Sequence, residues 1–174
     1  MSVRCELTPM ELFFCTRVMK AKYLDYDYLR RTPDVQKQYL LHEQETLEQL
    51  DEKGIMELDF DGNAAMTPEY EALLKPVFFG EKESRLDVHG KPDRRFHIFE
   101  GKIVMSLIGE ESITFREVTE TEIDSFLDEK NVEIYLSDVR HGRKNGVFTE
   151  KDLRNREFRK QAMKLLKGEW YDGR

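Results

Sequence analysis

The sequence predicts an α+β protein: a helical N-terminal part, an antiparallel β-sheet and a C-terminal amphipathic helix. Three observations carry that expectation. Threonines punctuate the chain at helix starts, at Thr8, Thr32, Thr67, Thr119 and Thr149. Asp61-Gly62-Asn63 supplies a tight turn after a short extended run. Over residues 84–137 the hydrophobic period shortens to that of strands.

Taken in order, Thr8-Pro9-Met10-Glu11 is a capping box with proline at the first helical position. The threonine oxygen accepts from an otherwise unpaired N–H and the glutamate reaches back, while Leu12, Cys15 and Met19 mark the buried stripe. Thr32-Pro33 opens a longer second helix with Val35, Tyr39, Leu47 and Leu50 inward, and Gly54 is placed to end it. Residues 55–60 read as a strand, and Thr67-Pro68 opens a short third helix that Pro76 closes. Helix, strand, turn, short strand and helix follow one another over residues 50–76. That order makes the N-terminal part winged-helix-like.

Residues 94–100 and 102–109 form a hairpin joined at Glu100-Gly101, and 113–118 supply a third strand. Thr119 and Glu122 box the start of a helix over 120–129, and 132–137 return to a strand. Residues 141–146 read as a polar loop before a final helix over 150–167. The segments 1–80, 81–138 and 139–174 are expected to share one compact domain.

At 174 residues the chain is long enough to bury about two-thirds of its unfolded surface. Hydrophobic residues make up 39% and charged residues 36%, and no run of 18 apolar residues offers a membrane span. The first six residues lack the apolar core of a signal peptide. Cys5 and Cys15 read as reduced thiols, so a cytoplasmic location without membrane insertion is expected. The net charge of −7 divides into −13 over residues 1–138 and +6 over 139–174. An acidic body repels phosphate backbones, so nucleic acid is not an expected partner.

Asp59-Phe60-Asp61-Gly62-Asn63 invites a calcium-loop reading. A loop counted from Asp59, however, puts Ala64 where glycine belongs and Tyr70 where the bidentate glutamate belongs. A hairpin turn is the expectation. The histidines 42, 89, 97 and 141 are scattered without ligand spacing, and His42 sits on an exposed helix face. Phosphate loops and a nucleophile elbow are absent, and Cys15 reads as a core residue. The expectation is a non-enzyme with no catalytic, metal or cofactor residues.

Binding features remain. The hairpin "FHIFEGKIVMSLIG" is apolar on both faces, which reads as the buried centre of a sheet or as an exposed partner surface. Its candidate partner-binding residues are Phe96, Ile98, Glu100, Gly101, Ile103 and Met105. "YLDYDYLRR" clusters Tyr23, Tyr26 and Tyr28 beside a basic pair and reads as a packed helix–helix connection. The tail helix mixes an apolar stripe with a basic face. Phe158, Leu165, Leu166 and Trp170 are its candidates for self-association.

From "ELTPMELFF" the pattern runs through a helix ending "LEQLDEKGIMEL" to "MTPEYEALLKPV". The charged strand "ESRLDV", the hairpin and "ITFREVT-ETEIDSFL" follow. Over residues 5–129 this order resembles the first half of EspG-type proteins, the cytosolic chaperones of type VII (ESX) secretion systems. The resemblance implies that the winged-helix-like segment is architectural and that protein partners, secretion substrates, are bound without enzymatic activity. It also implies two related halves about a pseudo-twofold axis. No second half is evident here, so a second copy is expected to supply it in a homodimer. The alternative is a winged-helix DNA-binding transcriptional regulator using its basic tail. Against it, the second helix sets Glu43, Glu45, Glu48, Asp51 and Glu52 against Lys37 and Lys53.

Overall fold

A computed structural model describes residues 3–22, 33–80, 82–88, 90–138 and 143–167. The chain begins with strand β1 (Arg4–Leu7) and helices α1 (Pro9–Met19), α2 (Pro33–Leu41) and α3 (Glu43–Glu52). A ribbon of β2 (Met56–Leu58) and β3 (Ala64–Met66) leads to α4 (Pro68–Phe79). Then come β4 (Lys82–Val88), β5 (Arg94–Phe99), β6 (Lys102–Ile108), β7 (Ile113–Glu117) and α5 (Glu120–Phe126). The chain continues through β8 (Val132–Asp138), β9 (Arg143–Thr149), α6 (Glu150–Leu153) and α7 (Arg156–Leu166). This is an α+β protein.

Seven strands make one antiparallel sheet in the order β1-β7-β6-β5-β4-β8-β9. β4 to β7 form a meander, β1 closes one edge, and α5 carries the chain back so that β8 pairs with β4. Because strand side chains alternate, each face has its own core. On the first face Cys5, Leu7, Val104, Ile113 and Phe115 pack against Phe14, Leu50, Leu74 and Phe78 from α1, α3 and α4. On the second, Leu86, Phe96, Ile103, Met105 and Ile134 meet Ile123, Leu153, Ala162 and Leu166 from α5, α6 and α7. The two-sided apolar hairpin is therefore explained by position. β5 is the central strand, and it and β6 are covered on both faces.

Capping boxes form at Thr8–Glu11, at Thr119–Glu122 and, from the threonine start at 149, at Thr149–Asp152, with both reciprocal bonds present in each. Thr67 precedes α4 but makes no side-chain cap. Its hydroxyl instead lies 2.5 and 2.6 Å from the carbonyls of Gly54 and Ile55, fastening α4 to the end of α3.

Several elements depart from expectation. The four-residue β1 is an unexpected strand, its Cys5 and Leu7 inward while Arg4 and Glu6 face out. The long second helix is broken at His42 into α2 and α3, and the buried Thr46 hydroxyl donates to the His42 carbonyl at 2.8 Å. Pro76 does not close α4 but lies inside it. A proline cannot donate to the carbonyl four residues back, and Lys102 Nζ lies 3.5 Å from that Ala72 oxygen. The polar loop expected over 141–146 is, from Arg143, part of strand β9, which pairs with β8 at the edge of the sheet. The final helix divides into α6 and α7 because Asn155 caps a fresh start, accepting from the N–H groups of Glu157 and Phe158. Thr32, the tyrosines at 23, 26 and 28, His89, His141 and Trp170 lie outside the described residues.

Candidate functional site

Of the six hairpin residues expected at a partner surface, Phe96, Ile103 and Met105 are 0%, 8% and 6% exposed and belong to the second-face core. Ile98 packs half-buried against them. Glu100 and Gly101 form the exposed tip, both with left-handed φ, 49° and 77°, as a two-residue hairpin turn requires. The hairpin thus offers its tip, while its apolar residues hold the sheet together.

In α7, Leu166 and Ala162 are buried and Leu165 is half-buried against the same core, leaving Phe158 46% exposed. The basic face is partly neutralised within the chain. Arg159 reaches Asp128 at 2.6 Å and Asp124 at 3.0 Å, and Lys167 lies 3.4 Å from Glu120. The Arg159 bond holds the Asp128 carboxyl below the usual aspartate range. Part of the tail's positive charge is therefore met within the chain, by Glu120 and Asp124 of α5 and by Asp128 just beyond it.

A different surface is built by α3 and the β2–β3 turn. The Asp59 carboxylate accepts from the N–H groups of Asp61 and Asn63 at 2.9 and 2.8 Å, and from Asn63 Nδ2 at 3.1 Å. Those bonds, led by the one from the Asn63 backbone, hold the carboxyl below its ordinary range. Asp59 is thus an acceptor for the turn. The turn fixes Phe60 at its tip, fully exposed. Between it and α3 lies a groove of about 490 Å³, with Leu47, Leu58 and Phe60 as apolar lining and Glu43, Glu48 and Asp59 as charges.

A second concavity of about 780 Å³ opens beside β4 and β8, where Asp87, Asp93, Glu133 and Glu150 meet Lys91 and Lys151. Burial pushes the Asp87 carboxyl up to about 6. Arg85, 3.0 Å away, opposes the shift, and the facing Asp93 carboxyl adds to it through charge and a shared hydrogen bond. Other carboxylates nearby are tied into the scaffold. Glu150 accepts from the Asn131 N–H at 2.8 Å and from Arg154 at 2.9 Å, and Glu129 takes both Lys91 and Arg94.

The Asp87 shift has a measurable consequence. The unfolded chain releases this proton near pH 4, the folded chain near 6. Between those values the folded state binds more protons, so stability should fall as pH rises. Asp87→Asn is expected to remove that fall. Urea melts at about pH 4 and pH 7 should then show the variant gaining on wild type at the higher pH. An unchanged difference would contradict the assignment.

The first-face core also contains polar groups. Arg95 lies 3.2 Å from Glu83, and His97 Nε2 lies 3.0 Å from the Ser106 hydroxyl. Burial, then the Arg95 charge, lowers the His97 ring to about 3, so it is neutral at physiological pH. Burial likewise pushes the Cys5 thiol up to about 12, while Cys15 is also a buried free thiol. Among the described residues, no group of three or more His, Cys, Asp or Glu is arranged to hold a metal ion. Among them, too, no helix is long and apolar enough to cross a membrane.

The groove and the aspartate pair are the surfaces that sequence reasoning missed. A phenylalanine standing inside "DFDGN" was the signal for the first. Nothing in the spacing of Asp87 and Asp93 announced the second. No protein-family model matches this chain, and no curated protein matches it either.

Proposed function

We propose that this protein is a non-enzymatic adaptor or chaperone of the EspG kind, acting in the cytoplasm on type VII secretion substrates or partners through protein–protein contacts. The observation that carries the reading is the exposed face of α3. In a winged-helix arrangement α3, the β2–β3 ribbon and α4 are the helix, wing and following helix. A DNA-binding version would offer α3 to a groove. Here Glu43, Glu45, Glu48, Asp51 and Glu52 all stand exposed on or beside that helix, and Leu50 turns into the core. Carboxylates in that number oppose a phosphate backbone. They suit a segment whose role is architectural or protein-binding.

The twofold dimer belongs to the same proposal, with exposed Phe158 as the part of α7 left to contribute. One sample tests both parts. The full chain should pass a heparin column without retention at about 150 mM salt, and should sediment as a dimer at tens of micromolar. Firm retention would favour the transcriptional regulator. A monomer would end the dimer. A second reading, a hydrolytic enzyme, draws on Asp87 and Asp93 lining one cleft, where burial raises the Asp87 carboxyl. It ranks behind because the neighbouring Glu150 is committed to scaffold bonds.

A further inference from the structure

We infer that the groove between α3 and the β2–β3 turn is a docking site for a basic amphipathic helix of a partner protein. The inference rests on the reading of this chain as a protein-binding module, but not on the identity of its client.

The floor is apolar and already shaped. Leu47 and Leu58 line it half-buried, and Phe60 stands over it fully exposed on a turn that Asp59 fixes with three hydrogen bonds. The turn's backbone is already ordered, so covering the exposed Phe60 ring costs only its side-chain rotamers while removing a large apolar surface from water, as an anchor of recognition does. The charges select the occupant. Glu43 and Glu48 stand on the α3 wall and Asp59 on the ribbon wall. A helix with one apolar stripe and Lys or Arg on both flanks matches both walls at once, whereas an acidic segment or a nucleic acid is repelled. The ten residues of α3 extend for about 15 Å, enough to face roughly three turns of such a helix.

This chain has a basic amphipathic helix of its own, α7, and a second copy could offer it. Its stripe, however, is already buried through Ala162 and Leu166, and Arg159 is held by Asp124 and Asp128. The occupant is therefore a foreign helix.

The probe is a fluorescein-labelled Leu/Lys amphipathic peptide of about 18 residues, long enough to hold a helix when bound. A Leu/Glu peptide with the same apolar pattern is the control. Fluorescence anisotropy with the full chain at about 150 mM salt should show saturable binding of the first and none of the second. Phe60→Ser and Glu48→Lys should each weaken binding about tenfold, and Phe158→Ser should leave it unchanged. Both groove residues are exposed, so melts confirm that these variants stay folded. Equal binding by wild type and Phe60→Ser would reduce the effect to net charge and overturn the proposal. So would a wild-type dimer that Phe60→Ser dissolves, because the occupant would then be a second copy. A client complex that survives Phe60→Ser overturns the groove and spares the adaptor reading. Saturable, Phe60-dependent peptide binding by a chain that captures no secretion substrate does the reverse.

Discussion

Phe96→Ala is expected to lower the free energy of unfolding by about 3–5 kcal/mol, measured by urea denaturation of the otherwise intact chain. Phe96 lies on β5, the central strand, and none of its surface is exposed. It pairs in register with Met105, and its ring centroid is 6.3 Å from that of Phe126 on α5. The Arg94 guanidinium stacks on Phe126 at 4.6 Å and also grips Glu129, so the region has little freedom to collapse into a void. A cavity left by the ring would stay largely open, and the cost would be near the upper end of the range. Phe60→Ala makes the natural comparison. The same residue type, fully exposed on the ribbon turn, should change stability by less than about 0.5 kcal/mol. A Phe96→Ala variant within about 1 kcal/mol of wild type would mean that the hairpin is a surface and not the middle of the sheet.

Gly80→Ala should be nearly as damaging, for the opposite reason. A β-carbon at Gly80 would fall 2.4 Å from the Pro76 carbonyl oxygen and 2.7 Å from that of Ile98. Both are backbone atoms, one in the last turn of α4 and one in β5, so neither can rotate away. The backbone angles of Gly80, φ −68° and ψ 133°, suit any residue. The glycine is thus required by close approach and not by conformation. Relief demands that α4 move from the sheet, with an overpacking cost of roughly 3 kcal/mol or more. Gly101→Ala provides the contrast. Its surroundings are open and its φ is 77°, so only the left-handed backbone is penalised, by about 1 kcal/mol. If Gly80→Ala is the milder of the two, the α4–β5 contact is looser than described.

The comparison of these glycines shows where the sequence was legible. Gly54 after α3 and Gly101 in the hairpin act through positive φ, and their neighbours, a helix end and two apolar runs, say so. Gly80 acts through two carbonyls, one from a strand eighteen residues further on, and no local pattern encodes that. The capping boxes were readable because their partners are three residues apart. The hairpin of the meander was readable because β-branched and aromatic residues are concentrated in its strands and Glu100-Gly101 marks the turn between them. β1 and β9 were not, since one is four residues long and the other begins in a polar run with a glycine inside it, and both are defined by the strand beside them. The burial of Phe96, Ile103 and Met105 could be foreseen only as one of two readings, because apolarity on both faces describes a sheet centre and a sticky surface alike.

The same limit governs function. Charge could be read from the chain, and the exposure of the α3 carboxylates agrees with it. A groove that joins Leu47 on a helix to Phe60 on a turn depends on packing, and so does a carboxyl pair that joins β4 to the loop before β5.

The proposed client-binding role is decided by co-expressing the full chain with each candidate helical type VII secretion substrate that its genome is found to encode, followed by gel filtration at about 150 mM salt. At least one of them is expected to elute with the chain as a stoichiometric complex. A chain that elutes alone beside every one of them, and that binds duplex DNA under the same conditions, would contradict it.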